Sequence, residues 1–184
     1  AFWNFQNAFV LAQQMGKALP PGEDAGKRPL DALLLLARVH INLAEINDGE
    51  TASYLDGAGR FLARAESLTE GNPEGGSEAF ALRASLASVA RGADSALALL
   101  AERTDEYALR TRSAILLNQQ RIHEAVAVFE ALPPHERWCD VAVTAYALNG
   151  EAGIAQEIVR WAAGLPDRTR YLQCVVKLGQ SLLR

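Results

Sequence analysis

Phe80-Ala81-Leu82-Arg83 returns 27 residues later as Tyr107-Ala108-Leu109-Arg110, and this echo decides how the chain is read. Trp138 follows 31 residues after Tyr107, and each of these aromatics is expected to open a helix. Each such helix runs to a turn signal: Arg91-Gly92, Gln120-Arg121 or Asn149-Gly150. A second helix follows with an alanine and a larger apolar residue four apart, as in Ala96 and Leu100, Ala125 and Phe129, Ala155 and Val159. The alanines lie 29 and 30 residues apart. Breaks close the units at Arg103-Thr104-Asp105, Pro133-Pro134-His135 and Pro166-Asp167, and a fourth unit opens toward Tyr171 as a single helix. Self-similarity at such a period is the mark of stacked helical pairs, because one pair cannot bury its own apolar face and its neighbours must cover it.

At these positions the chain resembles the tetratricopeptide repeat (TPR) family. Ala84 and Ser113 match the small residue of that motif's first helix, and Ala96, Ala125 and Ala155 match the alanine of its second. Leu100, Phe129 and Val159 match the residue after that alanine, and Pro133 and Pro166 the exit proline. The likeness covers residues 77–184. It departs from the family in its period of 27 to 31, where the family has about 34, and in Arg83 and Arg112, which fall near packing positions. The resemblance implies an all-α, right-handed α-solenoid of antiparallel helix pairs, with a concave surface on which a partner's peptide segment binds. The expected domain is single, over 1–184, with N-terminal helices over 1–68 and repeats over 77–184. One branch of the family reads a C-terminal carboxylate with lysines on its first helices. The only lysines here are Lys17, Lys27 and Lys177, and none matches, so that activity is not implied.

Composition agrees with helices. Alanine (33) and leucine (26) outnumber valine, isoleucine and threonine together (22), which sets helix formers against strand formers and excludes an all-β or parallel α/β chain. Hydrophobic residues make up 49% of the 184, enough to exclude intrinsic disorder. A net charge of −4 excludes a strongly basic nucleic-acid binder. No apolar run reaches the length of a membrane span, so neither membrane nor nucleic acid is an expected partner. Two cysteines, Cys139 and Cys174, are too few for a disulfide framework and are expected as reduced thiols. The start Ala1-Phe2-Trp3 has neither an initiator Met nor a basic leader, which suggests a processed chain or a fragment. A cytoplasmic location is expected, with a processed secreted chain as the alternative.

Ahead of the repeats, Phe2, Phe5, Phe9 and Ala12 fall at helical spacing in a stretch without charge until Lys17. This helix, expected to end near Gly16, offers amides instead of Lys or Arg on its polar face, so it is expected to dock on a partner or neighbouring domain and not on lipid. A loop at 20–26 leads to a helix from Leu30 to Ile46, then a turn at Asn47-Asp48-Gly49. A partner helix from Glu50 to Leu68 carries the stripe Tyr54, Leu55, Ala58, Phe61, Leu62, Ala65. The polar run 69–76, with its three glycines and Pro73, is expected as a long loop or hinge.

Chemistry in the repeats falls to polar side chains on the first helices. Arg outnumbers Lys fifteen to three, and a guanidinium's planar fork suits carboxylates. Arg83, Arg110, Arg112 and Arg137 are therefore expected to form an acidic-peptide site, joined by Tyr107, Asn118, Asp140 and Thr144. Against this stands the ordinary alternative that they are solvated helix faces. Phe80, Tyr107, Trp138 and Tyr171 are read as core and not as a base-stacking platform. His135 and Cys139, four apart, are too few to hold zinc, and no metal or cofactor is expected. The run Gly22 to Arg28 has the wrong glycine spacing for a phosphate loop, with Arg28 in place of the required Ser or Thr. His40, His123 and His135 lack a nucleophile or carboxylate at readable spacing. The expected role is a non-enzymatic protein-interaction scaffold or adaptor. The alternative is a regulatory or sensor arm of a larger multidomain signalling or transcription protein.

Overall fold

The structure is a computed structural model, and it describes residues 27–46, 49–130, 139–164 and 168–182. Among them nine helices form and no strand. The N-terminal helix expected to end near Gly16, the breaks at 133–135 and 166–167, Arg137 and Trp138 lie outside the described residues. The described residues gather into two compact units divided after Glu102.

The first unit holds α1 (Lys27–Ile46), α2 (Thr51–Glu66), α3 (Pro73–Arg91) and α4 (Ala93–Leu100). Helix α1 is apolar nearly all round, and Leu30, Leu34, Ala37 and Ile41 pack with Ala58, Leu62 and Ala65 of α2 and with Ala79 and Leu82 of α3. A helix of that composition is stable only when covered on more than one side, and α1 accordingly meets both α2 and α3. Glycine makes one of these contacts possible. A Cβ on Gly57 would stand 2.5 Å from His40 Cδ2, so α2 can approach the buried imidazole only where it has no side chain. His40 Nδ1 lies 2.9 Å from the Leu36 carbonyl, and the ring meets Phe61 edge-on at 5.0 Å. Buried histidine is here a packing residue with its polar atom satisfied.

The run 69–76 is not a long loop. Helix α3 begins at Pro73, where the missing N–H costs nothing, and Asn72 caps it by accepting from the Gly75 N–H at 3.0 Å. Gly75 lies buried under Leu30, whose Cδ2 would be 2.6 Å from an added Cβ. The stretch is not a hinge either, since α3 packs on both α1 and α2. Two ion pairs fix that packing: Arg38 of α1 with Glu78, and Arg83 of α3 with Glu66 of α2, the latter bidentate with both contacts at 2.6 Å.

The second unit holds α5 (Glu106–Asn118), α6 (Ile122–Glu130), α7 (Cys139–Leu148), α8 (Ala152–Ala163) and α9 (Arg168–Leu182). Asp105 caps α5 by accepting from the Ala108 N–H. Helix α5 packs on α6 and α7, α6 on α7, α7 on α8 and α9, and α8 on α9. The second-helix alanines Ala96, Ala125 and Ala155 are all fully buried, as are Leu100 and Phe129 four residues on. In α8 the corresponding burial falls on Ile158 and Ala162, and Val159 is only half-buried.

The aromatic echo is not the structural period. Phe80 sits in the middle of α3, whereas Tyr107 is in the first turn of α5 and Tyr171 in the first turn of α9, and all three are half-buried. The positions that recur are small side chains sealed inside: Ala84, Ser113, Val143 and Cys174, each 0% exposed and separated by 29, 30 and 31 residues. Ser113 satisfies its hydroxyl by donating to the Ala125 carbonyl across the α5/α6 contact at 3.1 Å. Large buried aromatics sit elsewhere, at Phe129 and Tyr146.

Candidate functional site

The α5/α6 turn borders a groove in the second unit, and α5 and α7 end alike. Gln120 closes α5 in the left-handed region at φ 62°, with its N–H donating to the Leu117 carbonyl and the Arg121 N–H to the Leu116 carbonyl. Gly150 closes α7 the same way at φ 84°, and the Glu151 N–H reaches the Tyr146 carbonyl. Between these helices and α9 lies a cleft of about 540 Å³. Helix α5 contributes Ala114, Leu117 and Asn118, and Gln120 and Ile122 follow from the turn and the start of α6. Helix α7 contributes Asp140, Val141, Thr144 and Leu148, and α9 contributes Lys177. Residues 141, 144 and 148 lie three and four apart, and Leu117 and Asn118 lie three and four after Ala114, so each set falls on one side of its helix.

Apolar and polar side chains line the groove in comparable measure. Thr144 donates its hydroxyl back to the Asp140 carbonyl at 3.0 Å. Asp140 is held by Arg110, whose Nη2 donates to Oδ2 at 2.6 Å. The side chains are 30% and 15% exposed, so the pair is partly withdrawn from water. Asn118 and Gln120 are exposed, as is Lys177. Lys177 makes no ion pair with any described residue.

The expected site residues separate. Asn118, Asp140 and Thr144 meet in the groove, and Arg110 joins them through Asp140. Arg112 does not. It is two residues from Arg110 and so projects from another side of α5, where its charge acts on Glu124 of α6. Glu124 is held below the ordinary carboxyl range first by its hydrogen bonds from Arg121, at 2.7 and 2.6 Å, with Arg112 a lesser contributor. Arg83 belongs to the first unit, where Glu66 takes both ends of its guanidinium and raises its affinity for the proton. Tyr107 is half-buried in the first turn of α5 and does not line the groove. Arg137 is outside the described residues. Of the three arginines that are described, Arg83 and Arg110 hold carboxylates of this chain, and the charge of Arg112 acts on Glu124 of α6.

Sequence reasoning did not find Gln120 and Lys177. Lys177 is three residues after buried Cys174 on α9, and its place in the groove follows only from how α9 lies on α7. Among the described residues no group of three or more His, Cys, Asp or Glu is placed to hold a metal ion. Cys174 is buried and in no disulfide, and Cys139 begins α7 with its side chain outside the description. No described helix is long and apolar enough to cross a membrane. Compared with protein-family models, with curated proteins and with solved structures, the chain matches none.

Proposed function

We propose that this chain is a non-enzymatic protein-interaction scaffold, a right-handed TPR-like α-solenoid that holds a partner's segment in the groove between α5, α7 and α9. The observation that carries the reading is the groove itself: about 540 Å³, lined by apolar side chains such as Leu117, Val141 and Leu148 together with Asn118, Gln120 and Lys177. A linear segment needs such a surface, with apolar contacts for affinity and separate polar groups for register. The solenoid reading draws on the packing within each unit, where a helix meets its successor and the first helices of successive pairs meet each other, as α5 with α7 and α7 with α9. It also draws on the buried small residues that recur every 29 to 31 positions.

The test is a bulky substitution in the groove. Thr144→Trp fills it without touching the sealed positions, and partners captured from the native source by the parent chain are expected to be lost from the variant while helicity by circular dichroism is unchanged. Identical partners on both would overturn the reading.

A further inference from the structure

We infer that Lys177 selects the segment that enters the groove, by pairing with an internal acidic side chain set between apolar residues; this rests on the groove being the binding surface. Among the described residues, two charged side chains line the groove, those of Asp140 and Lys177. Asp140 is already neutralised by Arg110 at 2.6 Å, whereas Lys177 is exposed and in no ion pair with a described residue. Among the described residues the cleft therefore carries one uncompensated positive charge, beside the apolar side chains of Leu117, Val141 and Leu148. A cationic residue in that position disfavours a basic segment and welcomes a carboxylate, and the apolar neighbours favour aliphatic residues on either side of it. The amides of Asn118 and Gln120 donate and accept, so they suit the main chain of an extended peptide and carry no preference of charge. Selection of charge in the groove thus rests on Lys177, since the guanidinium of Arg110 is engaged with Asp140.

The experiment is selection of random ten-residue peptides, displayed with their C-termini fused to a carrier so that no free terminal carboxylate is offered. The baits are the full chain, Lys177→Glu and Thr144→Trp, each checked for helicity, with Ala114→Phe as the block if Thr144→Trp loses structure. The full chain is expected to enrich peptides with Asp or Glu between aliphatic residues. Resynthesised, these bind Lys177→Glu about tenfold more weakly, the combined loss of an exposed attraction and gain of a repulsion, and Lys177→Glu enriches Lys or Arg instead. Peptides that require an open groove but show no acidic preference, or bind Lys177→Glu equally well, overturn this inference and leave the groove standing. Absence of enrichment, or peptides indifferent to the groove-filling variant, overturns both.

Discussion

Arg110 and Asp140 are thirty residues apart in the chain and 2.6 Å apart in space, and that interval is also the one between Ser113 and Val143 and between Ala125 and Ala155. The ion pair thus joins the same place in two successive helical pairs, α5 and α7, and ties one to the next. Its carboxylate belongs to the groove, so the pair also sets the groove's charge.

A double-mutant cycle on Arg110→Ala and Asp140→Ala measures the tie. Both side chains are partly shielded, so a coupling of about 1 kcal/mol is expected, toward the top of the range for exposed pairs. Urea unfolding of the four chains checks it. A coupling of zero would make the contact ornamental.

Two glycines on α2 are expected to respond oppositely. Gly57→Ala drives a methyl into the buried His40 ring and costs about 1–3 kcal/mol, as overpacking does. Gly59, two residues on, has open space around its missing side chain, so Gly59→Ala is expected to stabilise by about 0.5–1 kcal/mol through helix propensity. Thermal unfolding of the two variants side by side distinguishes a steric cause from a general effect of glycine.

Gln120 holds a left-handed backbone at φ 62° that glycine adopts without penalty, and Gly150 does so at the corresponding turn of α7. Gln120→Gly is expected to raise stability by about 1 kcal/mol, the relief of a left-handed non-glycine residue. Chemical denaturation reads the change. A loss instead would mean that the Gln120 side chain holds something the turn needs.

Glu124 predicts a pH dependence. Its carboxyl is lowered in the folded chain by the hydrogen bonds from Arg121, so its ionised form is favoured by folding. The stabilisation is present in full above the unfolded carboxyl value of about 4.3 and is lost as pH falls through the lower folded value. The stability difference between the parent chain and Glu124→Gln is therefore expected to be flat near neutrality and to close on acidification. A difference that widens toward low pH would contradict the sign.

What could be read from the sequence, and what could not, divides along physical lines. The helix at Leu30–Ile46 was legible because a run of apolar residues at helical spacing has no other way to be buried, and it extends back only to Lys27. The start at Pro73 was masked by the glycines around it. Composition marks glycine as a breaker, whereas here Gly75 is small because Leu30 lies against it, and Asn72 with Pro73 is a helix start. The aromatic echo misplaced the repeat by two residues, since half-buried rings tolerate shifts that the sealed positions at Ala84 and Ser113 do not. Asn118, Asp140 and Thr144 were legible as polar residues on first helices. The partners of Arg83 and Arg110 were not legible, because a charge seen in sequence carries no record of its partner: Glu66 precedes Arg83 by 17 residues and Asp140 follows Arg110 by 30.

Cys174 is wholly shielded from solvent where α9 lies against its neighbours. A thiol in that position reacts only when α9 lifts away, so the chain carries its own reporter of that opening. The rate at which an alkylating reagent reaches it would time the departure of the helix that brings Lys177 to the groove, without any added label.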